Sequence, residues 1–425
     1  MNAGVGLNAF ISLTPERAAR DSGRARRLAK AGSGRPGTPI AGWTVAVKDI
    51  IDVASARTTA GSGRRVVAPC DAAVVRRLSQ AGAIVVGKAN LDEWALGASG
   101  RNEQWGDCLN PWDARRLAGG SSSGAAVAVA SGDARLGIGT DTAGSLRIPA
   151  AFCGVTSLKP GTGWLDTAGI LGVAPTLDTV GPIARDVVDC AAAYEVMAGR
   201  TVTWARSAEL RDGTRLRLAV LRGEHWQSVD AAVGAALAAA GRIFERAGVN
   251  VFELEVPSIG EATRVAGVVL LYEVAHRYTS RWRRAEQSGM SDLVRRQLDK
   301  GRQISRREYE AALRFRERWL AKLGELYERA DVLLHATTAF VAPLAQEHRG
   351  TAELTRLCAA WNLAGAPVLA LPCGVDDGGL PIGASLVGPP GEAGRSERAV
   401  LRLGTTYQSA TEWHLRRPLA SPLEH

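Results

Sequence analysis

Short apolar runs alternate with longer amphipathic stretches along much of this chain, and the alternation predicts elements before any residue is singled out. Val45, Ala46 and Val47 precede Lys48, with Ile50 and Ile51 beyond it, which predicts a buried strand ending at the lysine. Further on, the pattern gives a helix capped by Asp71 and running through Ala81, a strand from Ala83 to Val86, and a helix opening at Leu91 behind an Asn90 cap. The stretch from Gly119 to Pro160 reads as loop, helix, strand and loop, with AAVAVA as the helix and Leu136 to Gly139 as the strand. The rhythm returns with a strand from Leu216 to Leu221, an alanine-rich helix from Val229 to Arg246 and a strand from Val249 to Leu254. Helices alternating with short apolar strands predict an α/β fold: a large mixed, mostly parallel sheet covered by helices on both faces.

Composition narrows the class. No linker interrupts the 425 residues, so 1–422 are expected to form one domain. Leu423, Glu424 and His425 read as a purification-tag remnant and carry no functional weight. A hydrophobic content of 46% without a membrane-length apolar run, and a start lacking a basic and then apolar leader, predict a cytoplasmic enzyme without a membrane partner. Cys70, Cys108, Cys153, Cys190, Cys358 and Cys373 lack zinc-site spacing, so they are expected to be reduced and mostly buried, with no metal bound. No Walker or dinucleotide motif follows a strand, so no cofactor is expected.

The charge is uneven. Between Arg277 and Lys322 stand 14 lysines and arginines against 6 acidic residues, which carries most of the net +9. Trp282, Tyr309, Phe315 and Trp319 lie in the same segment, yet Glu308, Glu310 and Glu317 sit at helical reach of the arginines. Solvated amphipathic helices therefore outweigh a nucleic-acid surface. A third reading turns one arginine, Arg295 or Arg296, inward to hold an anionic substrate.

The chemistry concentrates in GGSSSGAAVAVASGDARLGIGTDTAGS, where glycines and hydroxyls are too dense to serve packing alone. Consecutive N–H groups in a glycine-bearing turn can receive an anion, so Thr142, Ala143, Gly144 and Ser145 read as a nucleophile, Ser145, beside its own oxyanion hole. Gly120, Ser122 and Gly124 also satisfy GxSxG, but the nucleophile elbow must follow a strand, and NPWDARRLAGG is none. His225, His276, His335, His348 and His414 lack flanking motifs. A serine needs a base. Lys48 could serve if burial kept it neutral; read locally, it could equally pair with Asp49 or Asp52.

This stretch resembles the signature of the amidase signature enzymes, and the resemblance extends from about Asn8 to Trp413. AGWTVAVKDIIDV followed by TTAGS (Thr58 to Ser62) is similar to the family's lysine segment, and WNLAGAPVLALPCGVDDGGLPIGASLVGPP to its closing segment. The resemblance implies a catalytic triad of Lys48, a serine bearing a cis peptide, Ser121, and the nucleophile Ser145. It also implies that Gly119, Gly120, Asp141 and Arg147 support the nucleophile loop; Cys153 matches the family too, but its place in an apolar run predicts packing rather than chemistry. GGSSSG, TDTAGS with Ala143, and HATTAF depart from the commoner family pattern, and the first two look like allophanate hydrolases, which act on a small anionic urea derivative. The implied function is an amidohydrolase cleaving a carboxamide or urea-type C–N bond of a small molecule, with a homodimer left open. The alternatives are a glutamine-hydrolysing subunit of a tRNA-dependent amidotransferase, which would need partner subunits, and a non-catalytic scaffold on the same fold.

Overall fold

The computed structural model describes residues 6–30, 40–63, 66–199, 215–277, 290–391 and 394–418. The strands are β1 (Phe10–Leu13), β2 (Thr44–Lys48), β3 (Arg57–Thr58), β4 (Val66–Val67), β5 (Ile84–Ala89), β6 (Leu136–Asp141), β7 (Thr156–Lys159), β8 (Thr179–Ala184), β9 (Arg217–Arg222), β10 (Asn250–Glu255), β11 (Val332–Ala336), β12 (Val368–Val375) and β13 (Pro381–Val387). β3 and β4 form a separate hairpin; the other eleven make one sheet in the order β1-β5-β2-β6-β8-β7-β12-β13-β11-β9-β10. The longer helices are α1 (Pro15–Lys30), α2 (Ala73–Gln80), α3 (Ser123–Ser131), α4 (Arg147–Cys153), α5 (Val187–Ala198), α6 (Ala231–Arg246), α7 (Ile259–Arg277), α8 (Asp292–Gln303), α9 (Arg306–Tyr327), α10 (Ala359–Ala364) and α11 (Arg395–Ser409).

Parallel pairing occupies two blocks, β5-β2-β6 and β11-β9-β10, where helices such as α2 and α6 cross between strands. Between the blocks every pairing is antiparallel, from β6-β8 through β13-β11. The sheet is thus mixed as expected, and its parallel character follows the helix–strand alternation that predicted it. β12 and β13 are joined by a short turn, which permits only the antiparallel arrangement.

Successive side chains of a strand point to opposite faces, and β2 shows what this does here. Val45 and Val47 join a core with Val74, Val75 and Leu78 of α2 and Val187 and Tyr194 of α5. Ala46, on the other face, joins the small apolar side chains of α3 and Ala150 and Cys153 of α4. Helices therefore cover both faces. Lys48 shares the parity of Ala46 and emerges on the α3 side, at that helix's serine-rich start. The face of β2 decides what the lysine can meet.

Two predicted helix starts are corrected. Asp71 does not cap α2, whose N-cap is Ala72; its carboxylate instead receives Arg17 and the Ala54 N–H. No α-helix opens at Leu91: Asn90 Oδ1 accepts the Leu91 N–H, its Nδ2 reaches back to Asn8 O and Gly106 O, and only a 3-10 turn, Glu93–Ala95, follows. Trp94 and Ala95 have φ of 56° and 58°, outside the right-handed helical region. The six cysteines are free, and all but Cys70 are buried. The tag-like residues 423–425 and Trp282 lie outside the described residues.

The described part of the basic segment from residue 290 onward folds as amphipathic helices, α8 and α9. Ser305 and Glu308 form a capping box at the start of α9, and Arg306 pairs with Glu310 at 2.8 Å. Its aromatic side chains turn inward: Trp319 is buried and donates to Pro257 O, Tyr309 OH donates to Glu273, and Phe315 packs against the core. They are not presented for stacking on bases.

Candidate functional site

The end of β2 delivers Lys48 Nζ to 2.7 Å from Ser121 Oγ and 2.9 Å from Thr140 Oγ1. The side chain is fully buried, and burial pulls its pKa down to about 7, against the opposing pull of Asp92, Asp141 and Asp178. Pairing with a neighbouring carboxylate does not occur. Asp49 faces the other way and pairs with Lys88 at 2.8 Å, and Asp52 accepts from Thr58 Oγ1. Lys48 is left with two hydroxyls.

Ser121 lies just before α3, and the Gly120–Ser121 peptide is cis. A side chain at Gly120 would overlap the carboxylate of Asp92. That carboxylate, its pKa raised by burial, accepts from Ser99 N, Ser99 Oγ and Gly100 N. Asp92 thereby fixes the approach to Ser121. Ser122, the nucleophile of the rival GxSxG reading, is buried with its Oγ donating to Thr140 O at 3.1 Å, and no strand leads into it. Its hydroxyl holds α3 to β6.

Ser145 stands on the loop between β6 and α4, and that loop is tied at several points. Asp141 accepts Gly144 N–H at 2.7 Å and Leu146 N–H at 3.0 Å, while Arg147 grips both of its oxygens. Asn362 of α10 donates to Asp141 Oδ1 and receives Arg147 Nη2 on its own Oδ1. Burial raises the carboxylate's pKa, but Arg147 and the other donors hold it below the usual carboxylate range. Gly144, at φ 126°, has no space for a side chain against Cys358 and Ile148.

The loop also revises the expected oxyanion hole. Gly144 N–H is already bonded to Asp141 and drops out of the set. The N–H groups of Thr142, Ala143 and Ser145 meet no acceptor among the described residues. Thr142 Oγ1 donates to Asp178 Oδ1 at 2.6 Å. Asp178 also takes the N–H groups of Val173 and Ala174, and burial pushes its pKa up to about 6. Ser145 Oγ has no hydrogen bond among the described residues, and none joins it to Ser121. Its carbonyl accepts Ser122 N–H at 3.1 Å, which brings the two serine segments together.

Ser145 opens on a cavity of about 760 Å³ between its own loop, α7 and α8. Leu96, Val268, Leu271, Leu293 and Ile304 make its walls mainly apolar, and Arg264 and Lys300 are its charged lining residues. The inward arginine expected at Arg295 or Arg296 is therefore misplaced. Arg295 turns back to Met290 O, and Arg296 is exposed away from this lining. Ala95, one of the two strained residues before the cavity, also lines it.

The family model for Amidase matches residues 3–395. The chain belongs to the amidase family. This amidase is an enzyme of the class that hydrolyses carbon–nitrogen bonds other than peptide bonds. It is 34% identical to the A subunit of the glutamyl-tRNA(Gln) amidotransferase of Symbiobacterium thermophilum, over 97% of this chain and 91% of that one. Its counterpart in Chloroflexus aggregans is equally similar, with the same coverage. Among solved structures, one described as an amidase superposes with a TM-score of 0.84 at 30% identity, covering 95% of this chain and 92% of its own. The peptide amidase of Stenotrophomonas maltophilia gives 0.81 at 28% identity, with 98% and 92% coverage.

Sequence reasoning missed Thr140 as a partner of the lysine, and Asp92, Asp178 and Asn362 altogether. Asn362 was within reach, since it lies in the quoted WNLAGAP segment and a buried asparagine must find partners. Among the described residues no helix is long and apolar enough to cross a membrane, and no group of three or more His, Cys, Asp or Glu could hold a metal ion.

Proposed function

We propose that this amidase cleaves a carboxamide or urea-type C–N bond of a small molecule through an acyl-enzyme on Ser145. Neutral Lys48 takes a proton from Ser121 as Ser121 takes one from Ser145, and Ser145 Oγ bonds to the carbonyl carbon. The N–H groups of Thr142, Ala143 and Ser145 receive the oxyanion. The C–N bond breaks, the amine leaves with the proton returned through Ser121, and water then frees the acid by the same route. The observation that carries this reading is a fully buried lysine, pulled down to about 7, at 2.7 Å from the serine hydroxyl. Close to neutrality such a lysine can both accept and return a proton.

A second reading, the glutamine-hydrolysing subunit of a tRNA-dependent amidotransferase, is favoured by the curated relatives, which are amidotransferase A subunits at 34% identity. The apolar cavity wall favours the small-molecule reading. A scaffold role is disfavoured by Lys48, Ser121 and Ser145 all being present. The test is ammonia release from a panel of amides that includes glutamine. Ser145→Ala is expected to lose at least about 10⁴-fold in kcat, and full activity in that variant contradicts the assignment. Ammonia from glutamine alone, together with co-purifying subunits, would select the second reading.

A further inference from the structure

We infer that the substrate is an amide bearing a carboxylate across an apolar spacer from the scissile carbonyl, a monoamide of an α,ω-dicarboxylic acid, whose carboxylate is received by Arg264 and Lys300. The inference rests on Ser145 as the nucleophile and goes on to the charged residues that line the same cavity. A volume of about 760 Å³ suits an extended small molecule. On α7, Arg264, Val268 and Leu271 follow one another at helical spacing, and on α8 Leu293, Gln297 and Lys300 do the same. Each helix thus turns one stripe to the cavity, and each stripe carries one cation.

The charges are one-sided. The cavity is lined by these two cations and, among the described residues, by no aspartate or glutamate. Arg264 and Lys300 are exposed, and neither makes an ion pair or hydrogen bond among the described residues. Arg302 pairs with Asp299 at 3.0 Å and Arg306 with Glu310 at 2.8 Å, and what sets Arg264 and Lys300 apart from other unpaired cations of the described residues, such as Arg296 and Arg307, is that they line the cavity of Ser145. Two unmatched cations beside a low-dielectric wall draw an anion toward the cavity. The leucine and valine side chains offer nothing to hydrogen-bond, so methylene groups suit the middle of the ligand.

The same lining discriminates against an α-ammonium group, which would meet two like charges and no carboxylate. Glutaramate is glutamine without that ammonium, so the two form a matched pair. In the proposed reaction Ser145 Oγ bonds to the amide carbon, the C–N bond breaks, and ammonia leaves carrying the serine's proton. Water then adds to the acyl carbon, and the dicarboxylic acid departs as Ser145 regains its proton.

The test compares kcat/KM for ammonia release from glutaramate, adipamate, glutamine and neutral pentanamide, in the wild type, Arg264→Gln, Lys300→Gln and the double variant. Glutaramate and adipamate are expected to exceed both glutamine and pentanamide. The ratio of anionic to neutral substrate should fall up to about fivefold for each cation removed, the ceiling for an exposed ion pair, and should shrink with added salt. Glutamine matching or exceeding glutaramate overturns the inference, as does a ratio unmoved in the double variant. Calorimetric binding of adipamate to Ser145→Ala reads the anion site without turnover; binding weakened by the double substitution supports the inference, and absence of binding overturns it. Pentanamide cleaved as well as the monoamides, with Ser145→Ala inactive, sinks the inference and leaves the nucleophile standing. Undiminished release by Ser145→Ala sinks the nucleophile itself.

Discussion

Lys48 and Lys88 stand on adjacent parallel strands, Lys48 opposite Ala89 and Lys88 opposite Val47, and both are fully buried. Their surroundings differ in kind. Lys88 has the Asp49 carboxylate at 2.8 Å and Thr58 Oγ1 at 3.0 Å, an ion pair closed on itself. Among the described residues Lys48 has only the hydroxyls of Ser121 and Thr140 within hydrogen-bond reach, while the carboxylates that oppose its loss of charge act from further away. Burial alone does not make a base. What matters is that burial is left uncompensated by a contacting anion and that a serine stands at the nitrogen. Lys159 meets only the first of these conditions: burial and Arg147 pull it down to about 7 as well, but among the described residues its Nζ meets Pro160 O and no serine.

Exchanging one lysine at a time separates the roles. Lys48→Met should lower kcat/KM by roughly 10³-fold, within the range for loss of a general base, while circular dichroism and melting temperature show an intact fold. A drop of less than about tenfold would leave Lys48 no part in proton transfer. Lys88→Met should do the reverse, destabilising the protein by about 3 to 5 kcal/mol because it leaves Asp49 buried and unpaired. Denaturant unfolding checks this, and Lys88→Met with Asp49→Leu should recover much of the loss. Stability unchanged in the single variant would mean the pair is not closed as described. Asp178→Asn is the smallest change: it removes one negative charge that favours protonated Lys48. The pH of half-maximal kcat/KM should therefore move down by about 0.5, and an upward movement would contradict the electrostatic account.

The contrast between the two lysines also marks what the sequence can tell. The apolar run before Lys48 foretold a buried strand end, and the dense glycines and hydroxyls of GGSSSG and TDTAGS are where the proposed chemistry is placed. The choice between Asp49 as partner and a free lysine was not legible locally, because it depends on which face of β2 each side chain takes and on Lys88 arriving from another strand. Asp92 and Asp178 come from segments well outside the serine-rich stretch, one before it and one after, and no local pattern links them to it. Asn90 carries a strong helix-cap signal, yet its side chain is spent on Asn8 and Gly106, and tertiary contacts override propensity. The basic run was visible, but the cations at the cavity are Arg264, which precedes that run, and Lys300, which the spacing from Leu293 could have placed.

The most direct test of the central claim is the pH dependence of kcat/KM for a good amide substrate between pH 5 and 10. A base at about 7 predicts activity rising with pH through a midpoint near 7, since the lysine is neutral above its pKa and protonated below it. A rise deferred to the ordinary lysine range near ~10.4, or a profile flat through neutrality, would contradict the assignment of Lys48 as the neutral base.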